Sequence, residues 1–285
     1  MPSRTLRLVI YNTLFGGRDD FGLGDNTRWT PAVPFLKSLE GDMYALEECN
    51  YWDLLGHQRL HQARNDLALS TAFLAEANST TTGHRFHTAM LFNHRWNVIG
   101  DGAERAKYHH VLGWARACLD DQPAVWDFRH LHLSPFSPAH RALEVEPLQT
   151  LAAPRRLSVL LGDANTLGIG HPEPDWSPLP PAWRRTHRVR DENGTWGTDR
   201  TAMTVLADAG FIDAAHHLDD HRPTAGFADS DVPRRQDLFL LSPALAPAIV
   251  SYEVHTEPLD EGWSDHAAVT VTLDPDRIEA EEGVR

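Results

Sequence analysis

Leu157-Ser-Val-Leu-Leu-Gly-Asp-Ala-Asn-Thr-Leu-Gly168 is the most informative stretch of the sequence. Its apolar run is typical of a buried central strand, and Gly162 followed by polar residues indicates that the strand ends at a sheet edge. Asp163 and Asn165 lie two positions apart, so both side chains can project to the same side. Together a carboxylate and an amide could hold a water, a metal or a phosphate oxygen, whereas an Asx turn would be a purely structural explanation. The segment alone leaves both open.

The composition indicates a globular domain with an acidic surface. A layered α/β domain can reach 285 residues undivided, so we expect one domain over 1–273, followed by an acidic, disordered tail over 274–285. The net charge of −14 argues against non-specific binding to long nucleic acid, which needs a cationic field, although a local basic groove could sit on an acidic body.

Cysteine usage and hydropathy suggest a location in the cell. Cys49 and Cys118 are isolated, which is neither a metal-ligand spacing nor a disulfide framework. The sequence shows no signal peptide and no apolar stretch long enough to span a bilayer. We therefore expect a soluble, cytoplasmic monomer without a membrane partner.

Strand-like and helix-like segments recur through the chain. Apolar runs predict strands over 6–11, 42–46, 86–92, 96–99, 126–133, 157–161, 237–241, 249–255 and 267–273. Helical spacing predicts helices over 30–41, 61–76, 139–151 and 201–209. The Pro- and Trp-rich segment 171–199 predicts a long loop, functional or disordered. This order favours one α/β domain in which two sheets pack together with helices outside.

Polar residues recur at the ends of the apolar runs. They are Asn12, Glu48, His132, Asp163, Asn165, Asp237, Asp265 and His266. Because open sheets place ligands at strand ends, these groups could converge. Singly each has a simpler explanation: Glu48 could be a solvated loop acid, and His132 a hydrogen-bonded strand histidine.

The ordered set resembles the endonuclease/exonuclease/phosphatase superfamily, which has the DNase I-like fold. The matching motifs are Tyr11-Asn12, Leu46-Glu47-Glu48, Leu131-His132-Leu133, Gly162-Asp163-Ala164-Asn165, the run 237–242 and Ser264-Asp265-His266. They extend over about 6–273, essentially the whole chain. The resemblance implies an α/β four-layer sandwich, with two packed, mostly antiparallel β-sheets flanked by helices.

Four positions depart from the family pattern. Glu47 replaces a glutamine and is expected to add a negative charge beside Glu48. Leu131 replaces a threonine, Ala164 an aromatic residue, and Leu238 the arginine or tyrosine of many members. None of these changes removes a titratable group that the chemistry requires.

The resemblance implies a divalent cation, Mg²⁺ or Mn²⁺. Glu48 would be its ligand, with Asn12 and Asp265 nearby. A hard cation of this kind takes oxygen ligands and keeps several waters, so a few carboxylates suffice.

The remaining motif residues would carry the catalysis. Asp163 would accept a proton from the attacking water or orient it, and Asn165 would donate its amide to a phosphate oxygen. His266 would face the phosphate, oriented by Asp237, either as a cation or as a base. His132 would contact the phosphate or the leaving group.

Several further residues are candidates for substrate binding. His87 lies near where some members support the middle-strand histidine. Arg184, Arg185, Arg188 and Arg190 could form a cationic lip, or simply an exposed loop, and Trp176 and Trp183 could line a pocket. Arg141 and Glu144, one helical turn apart, are expected to form a structural pair.

These features predict a metal-dependent phosphoesterase that hydrolyses a phosphomonoester or phosphodiester by direct attack of water. The acidity of the chain and the loop 171–199 favour a small phosphorylated substrate. The alternatives are a DNA or RNA endo- or exonuclease acting through a local groove, and a non-catalytic binding protein on the same fold.

Overall fold

The structure, a computed structural model, describes residues 5–120 and 122–278. Its strands are β1 (Leu6–Asn12), β2 (Met43–Glu47), β3 (Thr71–Ala75), β4 (Thr88–Phe92), β5 (Trp96–Glu104), β6 (Leu112–Leu119), β7 (Val125–His132), β8 (Leu157–Asp163), β9 (Arg188–Arg190), β10 (Trp196–Thr198), β11 (Ile212–Asp213), β12 (Asp237–Leu241), β13 (Ile249–His255) and β14 (Ala268–Leu273).

The helices lie mostly between these strands. They are α1 (Leu14–Gly17), α2 (Trp29–Ser38), α3 (Leu54–Asp66), α4 (Pro138–Val145), α5 (Pro181–Arg184), α6 (Thr201–Asp208), α7 (Ala214–His217) and α8 (Glu257–Asp260). Short 3-10 helices cover Asp20–Gly22, Glu146–Ala152, Pro243–Ala248 and Pro275–Arg277.

The strands form two six-stranded sheets and a small hairpin. The first sheet has the order β13-β14-β1-β2-β4-β3, the second has the order β11-β12-β8-β7-β6-β5, and β9 pairs with β10. Within the two sheets, β1–β2 and β7–β8 are parallel and the other pairs are antiparallel. The predicted pair of mostly antiparallel sheets is therefore confirmed.

Successive side chains of the central strands face opposite sides of each sheet, and this alternation produces the layers of the fold. Leu8 and Ile10 of β1 pack in the core between the sheets, whereas Val9 packs against the helices outside the first sheet. In β8, Leu161 contacts the core between the sheets and Leu160 the outer layer of the second sheet. Strands covered on both faces need apolar residues at every position, which explains their continuous apolar runs. The fold is a four-layer α/β sandwich.

The helix predicted over 61–76 is wrong in its second half. Helix α3 ends at Asp66, Ala68 takes a left-handed conformation, and β3 then pairs antiparallel with β4. Phe73 stacks on Phe92 with their ring centroids 5.9 Å apart, so pairing and packing override the helical spacing. Strand β6 was not predicted, and β4 and β5 lie in different sheets.

The segment 171–199 contains α5 and the hairpin β9–β10. His187 stacks on buried Trp176, with ring centroids 4.8 Å apart. The predicted pair between Arg141 and Glu144 is wrong, because Arg141 Nη2 lies 2.9 Å from Asp199 Oδ2. Glu144 instead accepts the backbone N–H groups of His109 and Ser134.

Two predictions concern the chain end and the membrane. Residues 279–285 of the predicted tail lie outside the described residues, while Asp274 caps the 3-10 helix Pro275–Arg277. In the described part of the chain, no helix combines the length and the apolar character that crossing a membrane requires.

Candidate active site

The register of the second sheet brings three predicted residues side by side. His132 lies opposite Asp163 in the parallel pair β7–β8, and Asp237 lies opposite Asp163 in the antiparallel pair β12–β8. In the first sheet Asn12 lies opposite Glu47, at the ends of β1 and β2. The polar groups therefore meet because their strands end at one edge of the sandwich.

The turn after β8 is both an Asx turn and part of the site. Gly162 has a φ of 124°, and a Cβ there would lie 2.2 Å from the carbonyl oxygen of Leu131, so only glycine fits. Asn165 adopts a left-handed φ of 49°, and its backbone N–H donates to Asp163 Oδ1 over 2.7 Å. The Asx turn is therefore present, and the binding role of Asp163 and Asn165 stays a prediction.

Asp163 is buried and titrates near neutral pH. Burial raises the pKa of its carboxyl to about 7, opposed by the charge of His266 and supported by that of Asp237. Gln236 Nε2 lies 3.4 Å from Asp163 Oδ2 and fixes the carboxyl from one side. A carboxyl with this pKa suits proton transfer at physiological pH.

His266 is oriented by Asp237. Its Nδ1 lies 3.0 Å from Asp237 Oδ2, and Thr224 Oγ1 donates to that same oxygen over 2.5 Å. Burial alone would lower the pKa of His266, but the contact with Asp237 and the charge of Asp265 raise it well above its ordinary value. The imidazole is therefore cationic at neutral pH, and its Nε2–H remains for a ligand.

Glu48, Asn12 and Asp265 form the candidate metal site. Burial and the charge of Asp265 raise the pKa of Glu48 to about 7. Phe15 N donates to Glu48 Oε2 over 3.2 Å, and Asn12 Oδ1 accepts from Leu14 N over 2.9 Å.

This donor set fits a hard cation that keeps much of its water. The charge of Asp265 disfavours the ionisation of Glu48, and a bound dication would relieve that repulsion. Within 5–120 and 122–278 there is no cluster of three His, Cys, Asp or Glu side chains able to enclose a metal ion.

Glu47 does not add the negative charge expected beside Glu48. Its side chain is fully buried and reaches the other sheet, where Oε1 lies 2.9 Å from His130 Nε2. Burial raises the pKa of Glu47 well above its ordinary value and lowers the pKa of His130 to about 3. Both shifts favour a neutral pair in which the carboxyl donates to the imidazole.

His132 has an imidazole neighbour that the sequence did not identify. Its Nε2 lies 3.9 Å from Asp163 Oδ2, and its ring centroid lies 4.3 Å from that of His110. Burial lowers the pKa of His132 to about 3 and the pKa of His110 well below its ordinary value. The two rings are neutral. The His109-His110 pair in the loop between β5 and β6 was the available signal.

The weaker candidates lie away from these groups. His87 is buried, accepts from Ala77 N over 2.8 Å and contacts Asp53, so it has structural partners. The guanidinium groups of Arg185, Arg188 and Arg190 lie 5.8, 6.0 and 4.8 Å from the ring of Trp196. Arg184 Nε donates to the carbonyl oxygen of Leu179. His87, Arg184, Arg185 and Arg188 are outside the cleft described next, whereas Trp183 lines it.

One cleft of about 930 Å³ collects the remaining predicted groups. Its lining includes Glu48, His132, Asp163, Asn165, Asp265 and His266. Asp237 lies directly behind His266. Six of the eight predicted site residues thus line a single cavity, Asp237 contacts one of them, and Asn12 is not part of the lining.

Comparisons with known proteins support the fold. Neither a protein-family model nor a curated protein matches the sequence. Among solved structures, an endonuclease/exonuclease/phosphatase family protein from Bacteroides thetaiotaomicron matches with a TM-score of 0.63 and 16% identity, covering 94% of this chain and 97% of its own. An AP endonuclease from Archaeoglobus fulgidus gives 0.64 and 16%, covering 94% and 99%. A 3′ phosphatase, NExo, from Neisseria, bound to a product DNA hairpin, gives 0.63 and 16%, covering 94% and 99%.

The chain therefore has the endonuclease/exonuclease/phosphatase fold, also called DNase I-like, which confirms the resemblance of the six motifs. At 16% identity the likeness establishes the fold, and the chemistry has to be argued from the cleft itself.

Proposed function

We propose that the protein is a divalent-metal-dependent phosphoesterase that hydrolyses a phosphomonoester or phosphodiester by direct attack of water. The convergence of Glu48, Asp163, Asn165 and His266 in one cleft carries the proposal. The names of the structural neighbours, an AP endonuclease and a 3′ phosphatase among them, are consistent with this class of reaction.

Asp163 is the proposed proton acceptor. In the reaction the water oxygen bonds to phosphorus, the ester P–O bond breaks, and the departing alkoxide takes a proton from solvent water. Asp163, whose pKa is raised to about 7 by burial, can remove the proton of the water as it attacks. Gln236 positions the carboxyl through Oδ2, and the N–H of Asn165 holds Oδ1.

His266 and Asn165 would bind the phosphate. Cationic His266 would donate Nε2–H to a phosphate oxygen, where negative charge develops. One N–H of the Asn165 amide already donates to Leu133 O over 3.0 Å, which leaves the second for the phosphate. Neutral His132 would donate one N–H to the leaving oxygen.

Glu48 and Asp265, with Asn12 beside them, would hold Mg²⁺ or Mn²⁺. The bound dication would neutralise charge on the phosphate and on the departing oxygen.

A small phosphorylated molecule is the proposed substrate. The residues lining the cleft include the acids Glu48, Asp163, Asp231 and Asp265. The one arginine or lysine among the described residues of this lining, Arg234, is already paired with Asp231, so the cleft lacks the cationic track that a polyanion needs and the nuclease alternative rests on the names of the neighbours. A non-catalytic binding protein would have no need of a buried acid beside a buried cationic histidine.

The test is hydrolysis of phosphomonoesters, phosphodiesters, plasmid DNA and RNA by the purified protein with Mg²⁺, with Mn²⁺ or with a chelator. We expect metal-dependent release from small esters, and a loss of at least about 100-fold in Asp163→Asn and His266→Ala. Equal rates for wild type and both variants would contradict the assignment of Asp163 and His266 as catalytic residues. Preferential cleavage of nucleic acid would favour the nuclease instead.

A further inference from the structure

The mouth of the cleft concentrates the exposed aromatic surface of the protein. In the described part of the chain, four Phe, Tyr or Trp side chains are largely exposed: Phe21 (52%), Phe136 (55%), Trp183 (53%) and Phe227 (42%). All four line this one cleft, although they come from four separate segments of the chain: a 3-10 helix (Phe21), helix α5 (Trp183) and two loops (Phe136 and Phe227). Exposed apolar side chains are normal when scattered, but a cluster at a cavity marks a binding surface.

The inner wall continues the aromatic surface towards the candidate catalytic groups. Phe15 and Phe86 also line the cleft, with ring centroids 6.1 Å apart. Phe86 lies 5.1 Å from His110 and 6.4 Å from His132, again between ring centroids. An aromatic path therefore runs from the mouth to the imidazole that would meet the leaving group.

The cleft has little cationic charge to offer a second phosphate. Among the described residues that line it, Arg234 is the one arginine or lysine. Its guanidinium already donates to Asp231 Oδ1 over 2.7 Å, to Val232 O over 2.9 Å and to Gln236 Oε1 over 2.8 Å. A substrate with several phosphates would find no free cation here, whereas a single phosphate has His266 and Asn165.

We propose that the cleft selects a single phosphate esterified to a planar aromatic group, which stacks on the aromatic side chains of the mouth. This inference rests on the proposed phosphoesterase function. The cavity volume is typical of sites that enclose a small organic molecule. Aromatic stacking strengthens binding by about two- to twelvefold beyond area burial, so it can discriminate between esters.

Two other occupants would use aromatic side chains differently. A lipid surface needs them to protrude together from the protein, whereas here they enclose a cavity that leads to acids and histidines. Single-stranded nucleic acid needs a cationic track along its backbone in addition to stacking. The acidic lining favours the small aromatic ester over both.

The experiment compares three phosphonate monoesters that share one non-aromatic leaving group and one negative charge. They are the monomethyl esters of phenyl-, cyclohexyl- and methylphosphonic acid, called the phenyl, cyclohexyl and methyl esters below, and release of methanol is followed with Mg²⁺ present. We expect kcat/KM to be at least about tenfold higher for the phenyl than for the methyl ester, mostly through KM, with cyclohexyl between them. Equal values for phenyl and cyclohexyl would overturn the role of stacking, and equal values for all three would overturn the inference entirely.

Variants locate the effect. Trp183→Ala and Phe227→Ala are expected to lower the phenyl-to-methyl ratio to under about threefold. Leu143→Ala is the control, because Leu143 is 60% exposed and lies outside the cleft. An unchanged ratio in both aromatic variants would contradict the assignment.

A binding measurement separates this inference from the proposed function. Calorimetry measures the binding of phenylphosphonate and methylphosphonate without any turnover. We expect phenylphosphonate to bind about tenfold more tightly than methylphosphonate, and we expect Trp183→Ala to abolish this difference. If no ester is hydrolysed, the phosphoesterase proposal fails while this comparison still tests the cleft. Binding to phosphatidylcholine vesicles that Phe136→Ala abolishes would overturn the small-molecule assignment. So would an oligothymidylate inhibiting over 100-fold better than thymidine monophosphate.

Discussion

Replacing Asp199 by asparagine is expected to lower the free energy of unfolding by about 3 to 5 kcal/mol, because it leaves a buried guanidinium without its counter-charge. Arg141 and Asp199 are both fully buried, with Nη2 and Oδ2 2.9 Å apart. Arg141 also donates to Ser134 O over 2.9 Å and to Thr186 O over 2.6 Å. The pair therefore links the segment 171–199 to α4. The expected loss of stability is the cost of leaving the charge of Arg141 buried without Asp199.

Thermal and urea unfolding measure this loss. For a chain of this size each kcal/mol lowers the Tm by about 2 to 3 °C, so Asp199→Asn should unfold about 6 to 15 °C below wild type. Arg277→Gln is the control, because the Arg277–Asp274 pair has a contact of similar length, 3.0 Å, but an arginine that is 55% exposed. Exposed pairs contribute under about 1 kcal/mol.

The same variant has a consequence for the cleft. The segment 171–199 carries Trp183, so loosening it should reduce the preference for the phenyl ester as well as the stability. An Asp199→Asn protein that unfolds no earlier than Arg277→Gln would refute the reasoning, since the buried charge would then cost nothing. A lower Tm with an unchanged phenyl preference would refute only the link between the pair and the cleft.

Three further outcomes follow from the structure. Burial lowers the pKa of His187 to about 3, so as pH falls the unfolded chain binds a proton on this residue before the folded chain does, and wild type loses stability below about pH 6.5. His187→Phe keeps the stacking on Trp176. Between pH 8 and pH 5 its free energy of unfolding, measured by urea titration, should fall by about 2 kcal/mol less than that of wild type. Asp163 acts in its ionised form and burial raises its pKa, so the hydrolysis rate should increase with pH up to about 7. Gln236→Leu removes a hydrogen bond to the ionised carboxyl, so it should shift this limb of the pH–rate profile to higher pH and lower kcat at pH 7 several-fold. Gly162→Ala should unfold well below wild type in calorimetry, since its Cβ would lie 2.2 Å from a carbonyl oxygen of β7.

The sequence predicted the site because strand ends carry it. Asn12, Glu48 and Asp163 each follow an apolar run, and such runs are the strongest local signal in a sequence. Once the strands pair, their register brings Asp163, His132 and Asp237 together without further information. The fold and the meeting of these three side chains at one sheet edge could therefore be predicted from the order of the motifs.

Long-range contacts account for what was missed. The spacing of Phe73 fits a helix as well as a strand, and pairing with β4 decides between them. Arg141 has a possible partner one turn along its helix, yet it pairs with Asp199, 58 residues away. Glu47 looked like an added charge because the sequence does not show that its carboxyl is buried against His130. Each error concerns a contact that periodicity cannot encode.

The mouth of the cleft differs from its floor in whether strand pairing holds its side chains in place. The catalytic candidates lie at strand ends, where sheet register fixes them, and changing Asp163 or Asp237 disturbs buried hydrogen bonds as well as chemistry. Phe21, Trp183 and the other aromatic side chains of the mouth lie on short helices and loops outside the two sheets, and each is between 42% and 55% exposed. Truncating these aromatic side chains removes less buried area than truncating a core residue. Such substitutions should therefore alter KM while lowering the free energy of unfolding only slightly. Substrate choice can therefore vary on this fold while the reacting groups stay in place.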